Sequence, residues 1–169
     1  YEGEDMEIAD ILEKIAEWNC KLVEVTGGEP LFQDKCIELL KSLVENKYEV
    51  MLETGGSLPI SKVPEEVIKI VDFKCPTSGM EKKNNWQIID DLQPHDEVKF
   101  VIGSRTDFDW AKGKIDLYDL DKKCTLLMSP TFGEIDPQHI VEWILAENLP
   151  VRMQLQMHKM IWSPDTQKV

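Results

Sequence analysis

Short β-prone segments alternate with helical patterns along the chain, and this alternation limits the fold more than any other feature. Segments rich in Val, Ile, Leu and Met predict six strands, at residues 22–26, 48–53, 70–73, 98–102, 125–128 and 151–157. Helical patterns fall at residues 5–18, 34–45, 65–68, 86–92 and 107–112, and from residue 136 onward. Such alternation predicts an α/β protein whose parallel sheet is covered by helices. Six strands are too few for a closed barrel of eight, so a partial (β/α) barrel and a doubly wound sheet both remain.

The composition predicts one domain without a surface for nucleic acids or membranes. The 169 residues are 42% hydrophobic and contain no linker, so residues 1–169 are expected to fold as a single domain. The formal net charge of −13 argues against binding to nucleic acids or anionic membranes, which depends on clustered Lys and Arg. No apolar run is long enough to span a bilayer, and the acidic start lacks the basic region of a signal peptide. These features predict a cytoplasmic protein.

The four cysteines are widely separated in the sequence. Cys20, Cys36, Cys75 and Cys124 form no pair with the close spacing of a zinc or redox motif. A cytoplasmic chain would keep them reduced, and a metal site built from these four is not expected. All except Cys75 lie in helix or strand patterns, where a free cysteine is expected to be a small buried hydrophobic residue.

Two helix starts and one loop can be predicted from local sequence. Asp5 is a candidate N-cap for the first helix, and Asp136 followed by Pro137 is a typical start for the last. The last helix is expected to bury four apolar side chains, Ile140, Val141, Ile144 and Leu145. The charged and polar segment 81–85 predicts a mobile surface loop.

Glycine-rich or polar residues follow several of the predicted strands. These groups are Thr26-Gly27-Gly28-Glu29, Glu53-Thr54, Lys74 with Ser78, Ser129 with Thr131, and His158-Lys159. The carboxyl ends of parallel strands meet at the edge where α/β folds bind ligands, so we expect these groups to converge there. Two adjacent glycines also remove the Cβ atoms that would hold a ligand away from the backbone. Taken singly, each group has an ordinary structural interpretation: a turn at Gly27, an ion-paired carboxylate at Glu53, or a sheet-edge histidine at His158.

Taken together, these motifs resemble those of radical S-adenosylmethionine (SAM) enzymes. The run Val25-Thr26-Gly27-Gly28-Glu29-Pro30-Leu31 is similar to the Gly-Gly-Glu-Pro motif of that superfamily. Three further stretches narrow the match: Glu53-Thr54-Gly55-Gly56, Asp72-Phe73-Lys74-Cys75-Pro76-Thr77-Ser78-Gly79 and Gln154-Leu155-Gln156-Met157-His158-Lys159-Met160-Ile161-Trp162. With them the chain resembles the 7-carboxy-7-deazaguanine synthase family over nearly its whole length. The resemblance implies a partial (β/α) barrel of about six parallel strands.

The resemblance also implies an activity and its cofactors. Members of the family are radical SAM lyases of queuosine and other 7-deazapurine pathways, and they convert 6-carboxy-5,6,7,8-tetrahydropterin to 7-carboxy-7-deazaguanine with loss of ammonia. A [4Fe–4S] cluster and one electron cleave SAM to a 5′-deoxyadenosyl radical, and Mg²⁺ assists the ring contraction. The implied partners are the small-molecule pterin, an electron donor such as flavodoxin or ferredoxin, and a second subunit in a homodimer.

Residue roles follow from the same resemblance, position by position. It implies that Gly27, Gly28 and Glu29 hold the amino group and methionyl part of SAM. Residues 72–74 (Asp72, Phe73 and Lys74) line the SAM site, and residues 129–132 (Ser129, Pro130, Thr131 and Phe132) frame the adenosine. The pterin-binding residues are Thr26, Glu53, His158 and Pro164.

One part of the family pattern does not match. The family carries its cluster on a Cys-x3-Cys-x2-Cys loop, followed directly by a magnesium-binding Thr or Ser, and this sequence contains no such loop. We therefore expect that the sequence is truncated or lacks a preceding region, and that the chain as it stands is inactive, because a cluster needs its thiolates. Two alternatives are another radical SAM enzyme, such as one that activates a glycyl-radical protein, and a non-catalytic SAM-binding domain.

Overall fold

Six strands form one parallel sheet in the computed structural model, which describes residues 3–163 and 166. The strands are β1 (Leu22–Val25), β2 (Glu49–Thr54), β3 (Ile68–Phe73), β4 (Glu97–Ile102), β5 (Thr125–Pro130) and β6 (Arg152–Met153). Each pairs in parallel with the next, so the order across the sheet is the order along the chain. A doubly wound sheet reverses its strand order at a switch point, and this sheet has no reversal. The fold is therefore the partial (β/α) barrel and not the doubly wound alternative.

Helices connect the strands and cover the outer face of the sheet. The α-helices are α1 (Ile8–Ala16), α2 (Cys36–Glu45), α3 (Arg105–Tyr118), α4 (Pro137–Glu147) and α5 (His158–Ile161). Short 3-10 helices lie at Pro30–Phe32, Pro76–Ser78, Glu81–Lys83, Trp86–Asp91 and Leu120–Lys122. Among the described residues, no helix combines the length and apolar character needed to cross a membrane.

Alternate residues of each central strand face the helices and form the core. In β4, Val98, Phe100 and Ile102 are fully buried, while Lys99 and Val101 face the inner, concave side of the sheet. Helices α2, α3 and α4 close the core with Leu40, Leu43, Phe108, Ala111, Ile115 and Ile140, all buried. Core packing therefore uses the outer face of the sheet and leaves the inner face free for polar side chains.

Three predicted helices differ from the observed ones. Residues 65–68 do not form a helix, because Ile68 already belongs to β3 and pairs with Met51. The helix predicted at 86–92 is a 3-10 helix. The helix predicted at 107–112 is longer, because Ser104 caps it by accepting a hydrogen bond from the Asp107 N–H and buried Ile115 continues its apolar face.

The predicted caps had mixed outcomes. Asp136 is confirmed as the N-cap of α4, with its carboxylate 2.9 Å from the Gln138 N–H and Pro137 in the first turn. The Asp5 prediction is wrong: α1 begins at Ile8 behind Glu7, which makes no side-chain cap. In α4 only Ile140 and Ile144 of the four predicted apolar residues are buried; Val141 and Leu145 are 39% and 70% exposed.

The sixth strand is much shorter than predicted and ends for a chemical reason. The Gln154 N–H still donates to the Met128 carbonyl at 2.9 Å, as a parallel ladder requires. The next bond of that ladder would need the N–H of Pro130, which proline lacks. The chain therefore leaves the sheet, and His158 begins α5 instead of ending a strand.

Candidate functional site

A cavity of about 420 Å³ lies at the carboxyl ends of the strands and is lined mainly by the predicted motifs. Its walls include the Thr26–Glu29 loop after β1, Glu53 at the end of β2, and Asp72 with Lys74 at the end of β3. The other lining residues are Thr54, Gly55, Ser57, Met80, Lys83, Lys99 and Gln156. The expected convergence at one edge is confirmed for these groups.

Glu29 ties the loop after β1 to the end of β2. Its two carboxylate oxygens each lie 2.9 Å from the Thr54 hydroxyl, and one of them accepts the Gly55 N–H at 2.8 Å. The other accepts the Leu31 N–H at 3.2 Å and so caps the 3-10 helix Pro30–Phe32. A Cβ on Gly55 would lie 3.3 Å from this carboxylate, so the second Gly-Gly pair gives Glu29 room to reach β2.

The backbone at Gly27 opens directly onto free space. Its φ of +109° is a conformation that side-chain-bearing residues rarely adopt, and a Cβ built there would have no protein atom within 4 Å. The loop thus provides a cradle that a side chain would fill, as expected where a ligand contacts the backbone.

Glu53 is held by two neighbours on the concave face. One carboxylate oxygen forms an ion pair with the Lys99 ammonium, and the other accepts the Thr26 hydroxyl at 2.9 Å. Burial alone would raise the pKa of the Glu53 carboxyl. The hydrogen bond and the positive charge of Lys99 outweigh this effect, and the hydrogen bond from Thr26 adds to theirs, so that the pKa lies below its usual value. The charge of Lys74 acts in the same direction. Glu53 is therefore an ionised acceptor at the cavity wall.

Lys99 and Glu24 belong to this charged group but were not predicted from the sequence. Both lie within strands and not at their ends. Burial, followed by the charge of Glu53, raises the pKa of Glu24 above its usual value. The available signal was Lys99 itself, which is the one charged residue in the strand predicted at residues 98–102.

Asp72 and Lys74 form the third wall and are fixed by a residue from the segment predicted to be mobile. The Lys74 ammonium lies 2.7 Å from one Asp72 oxygen. The Asn84 side chain accepts from the Lys74 N–H at 2.9 Å and donates to the Lys74 carbonyl at 3.0 Å. The next residue, Asn85, donates its N–H to the Gly56 carbonyl at 2.8 Å. Segment 81–85 is thus a bonded support of the site and not a free surface loop.

Two buried acceptors in the cavity have no protein partner among the described residues. These are the second oxygen of Asp72 and the side-chain carbonyl oxygen of Gln156. A buried polar atom without a hydrogen bond is costly, so both atoms favour a ligand that carries hydrogen-bond donors. SAM meets this requirement through its ammonium group and ribose hydroxyls, and the open cradle at Gly27 gives it access to the backbone. The described residues therefore fit SAM.

The remaining predicted residues lie in different places. Phe73 points into the core and stacks on Trp86 at 4.5 Å, so only its backbone is available to a ligand. Pro130, Thr131 and Phe132 line an apolar cavity of about 310 Å³ that shares Gln156 with the first, whereas Ser129 is buried in β5. His158 is exposed on α5 and does not line the first cavity, and Pro164 lies outside the described residues.

The described residues do not fit an iron–sulfur cluster or a magnesium ion. Within residues 3–163 and 166, no three His, Cys, Asp or Glu side chains are placed to hold a metal. The four cysteines are free; Cys36 and Cys75 are buried, Cys124 is half-buried, and Cys20 is exposed, which corrects the prediction that Cys20 packs inside. Burial raises the pKa of the Cys124 thiol to about 12, and it also raises that of Cys75, so neither is a ready thiolate.

Two solved structures share this fold. QueE from Escherichia coli matches with a TM-score of 0.68 at 21% identity, over 88% of this chain and 64% of that chain. Streptococcus suis SuiB, solved bound to S-adenosylmethionine, matches with a TM-score of 0.61 at 11% identity, over 89% of this chain and 42% of that chain. At these identities the likeness concerns the fold alone.

Sequence comparison gives more similar relatives. A 7-carboxy-7-deazaguanine synthase from Chlorobaculum tepidum is 40% identical over 170 residues, covering 99% of this chain and 77% of the relative. One from Koribacter versatilis is also 40% identical, over 162 residues and 72% of its own length. No family model matches the chain. At 40% identity over nearly its whole length, the chain belongs to the 7-carboxy-7-deazaguanine synthase family.

Proposed function

We propose that this protein is a radical SAM lyase that converts 6-carboxy-5,6,7,8-tetrahydropterin to 7-carboxy-7-deazaguanine and ammonia. Its relatives are named for the product of this reaction. The observation that carries the proposal is the cavity in which the Thr26–Glu29 loop, Glu53 and Asp72 meet. The substrate and the product differ by one molecule of ammonia, so the reaction is a rearrangement with loss of ammonia. The product serves the synthesis of queuosine and other 7-deazapurines.

The SAM side of the site is formed by the loop after β1 and the end of β3. The backbone of Gly27 and Gly28 receives the methionyl part, and Glu29 fixes the loop that presents it. Asp72 offers its unpartnered oxygen to donors of the ligand, and Lys74 offers a positive charge. SAM, when bound, supplies the radical chemistry, while these residues orient it and exclude water.

The adenine ring of SAM has a suitable place beside this wall. Pro130, Thr131 and Phe132 line the apolar cavity of about 310 Å³, and Gln156 joins it to the main cavity. A flat aromatic base buries well against such side chains. Ser129 supports the segment from inside β5.

The pterin acid binds above the concave face. Thr26 and ionised Glu53 accept hydrogen bonds from the ring N–H groups, because a carboxylate has about four acceptor sites and Glu53 uses two of them within the protein. His158 and Pro164 complete this side, as the family resemblance implies. The cluster and Mg²⁺ enter the proposal only through that resemblance, since the described residues fit neither.

The domain organisation, the localisation and the partners of the enzyme belong to the same proposal. The described residues form one sheet and one connected core, which supports the proposal that residues 1–169 belong to a single domain. The protein is proposed to be cytoplasmic, and the net charge of −13 supports the proposal that it binds neither nucleic acid nor an anionic membrane. The electron donor is a flavodoxin or ferredoxin and the assembly is a homodimer, both by family resemblance.

The activity is tested on the protein as its gene encodes it. Purified protein is supplied anaerobically with iron and sulfide, Mg²⁺, SAM, a one-electron reductant and 6-carboxytetrahydropterin, and 7-carboxy-7-deazaguanine is measured by mass spectrometry. The proposal predicts product that depends on both SAM and protein. If no product forms although SAM and pterin both bind, the lyase assignment is wrong and a non-catalytic binding domain is favoured.

A further inference from the structure

Lys99 lies at the centre of the acidic concave face. In β-sheet register it is the direct partner of Asp72 on β3, yet its ammonium reaches past β3 to Glu53 on β2. Glu24 on β1 is close enough for its pKa to respond to the charges of both Glu53 and Lys99. The Lys99 side chain is only 17% exposed and that of Glu53 31%, so water screens their attraction incompletely.

We propose that Lys99 is a positioning residue for substrate binding: it fixes the Glu53 carboxylate, together with Thr26, in a charged state that faces the cavity. This inference rests on the proposed function of the site. Lys99 contacts one Glu53 oxygen and Thr26 the other, which leaves the carboxylate a single orientation. A carboxylate fixed in this way presents its remaining lone pairs to a ligand without further ordering.

A second ion pair, between Lys69 and Asp96, shows how a lysine and a carboxylate are arranged in this fold when their role is purely structural. Lys69 and Asp96 lie 3.2 Å apart near the amino ends of β3 and β4, with side chains 3% and 0% exposed. Asp96 also accepts the backbone N–H groups of Lys69 and Gln93. That pair is enclosed by protein and far from the strand ends that form the cavity. The Lys99–Glu53 pair instead lines the cavity, and the Glu53 carboxylate can accept further hydrogen bonds.

Removing the positive charge of Lys99 makes the concave face more negative and should raise the pKa of the Glu53 carboxyl. Glu53 is faced by Glu24 from β1, by Lys99 from β4 and by Lys74 after β3, with the Thr26 hydroxyl beside it and Asp72 of β3 on the same cavity wall. In Lys99→Met the Glu53 carboxyl loses its strongest stabilising partner, so its pKa rises. The charged form, which is present above that pKa, is then lost at a higher pH as the solution is acidified.

The test is binding of 6-carboxypterin, a fluorescent and stable analogue of the substrate, measured between about pH 5 and 7.5. We expect Lys99→Met to weaken binding about 10- to 100-fold and to move its acidic limit to higher pH. Lys99→Arg should restore most of the affinity because it keeps the cation. Lys112→Met is the matched control, because Lys112 pairs with Glu147 on the outer surface and should leave binding unchanged.

A double-mutant cycle separates positioning from general damage to the sheet. In a Glu53→Gln background, Lys99→Met should have little further effect on affinity, because the group that it positions is already neutral. Full additivity of the two losses would overturn the inference, as would wild-type affinity and pH profile in Lys99→Met alone. If the folded wild-type protein does not bind 6-carboxypterin, the proposed function itself fails, and the inference fails with it.

Discussion

Glu29 shows how one side chain can join two strand-end loops. Its carboxylate receives the Thr54 hydroxyl and the N–H groups of Gly55 and Leu31, so the loop after β1 and the end of β2 form one unit. Three donors face one acceptor group, and each is at least half-buried. The residue therefore supports the site whether or not a ligand is bound.

Glu29→Gln should destabilise the fold. The amide turns one acceptor into a donor that faces other donors, so we expect a loss of about 1–3 kcal/mol in the free energy of unfolding, measured by urea titration. Glu7→Gln is the control, because Glu7 is exposed and pairs with Lys35 at the surface; it should leave the free energy of unfolding nearly unchanged. Equal effects of the two substitutions would contradict the role given to Glu29.

The sequence predicted well which residues meet at the strand ends, but it did not predict the residues that contact them from elsewhere. Thr26, Glu53 and Asp72 follow or end strands, so the topology alone brings them together. Lys99 escaped prediction because its role depends on which face of a strand is concave. Asn84 escaped because its partner is the backbone of Lys74, ten positions earlier, and backbone contacts leave no sequence pattern.

At the scale of elements, the α4 helix depends on a cap that the sequence already shows. Asp136 accepts the Gln138 N–H at 2.9 Å and Pro137 follows it, which satisfies the first turn. Asp136→Ala should cost about 0.5–2 kcal/mol of unfolding free energy in urea titrations. Asp136→Ser keeps an acceptor and should lose much less. An Ala variant as stable as wild type would show that the cap contributes nothing.

Element boundaries were harder to predict wherever distant residues decide them. The end of β6 depends on Pro130 in the neighbouring strand, and the extent of α3 depends on Ile115 being buried beneath it. The choice between partial barrel and doubly wound sheet also needed the strand order, which is a long-range property. Alternation of strand and helix patterns predicts the class of fold, but pairing determines its topology.

At the scale of the whole molecule, the two faces of the sheet have different roles: one packs the core and the other carries the charged residues of the cavity. The outer face packs the apolar core beneath α2, α3 and α4, while the inner face carries Glu24, Glu53, Asp72 and Lys99. Because all neighbouring strands pair in parallel, their carboxyl ends all lie at one edge of the sheet. The cradle at Gly27 lies where that edge meets the charged inner face, and this is where we propose that SAM binds.

The most direct measurement is calorimetric titration of SAM into the purified protein and two glycine variants. Gly27→Ala places a Cβ in the ligand space and strains a backbone with φ of +109°, whereas Gly113→Ala adds a Cβ within helix α3 with no atom within 4 Å. We predict binding at one site in the wild type and in Gly113→Ala, and at least about tenfold weaker binding in Gly27→Ala. Gly113→Ala should also be slightly more stable, by about 0.5–1 kcal/mol.

A folded wild-type protein that gives no heat with SAM would contradict the assignment of the cavity. So would Gly27→Ala binding SAM as tightly as wild type, since the cradle would then play no part. Circular dichroism of each sample establishes folding before titration. Loss of binding in folded Gly27→Ala, with Gly113→Ala unchanged, is the result that this account predicts.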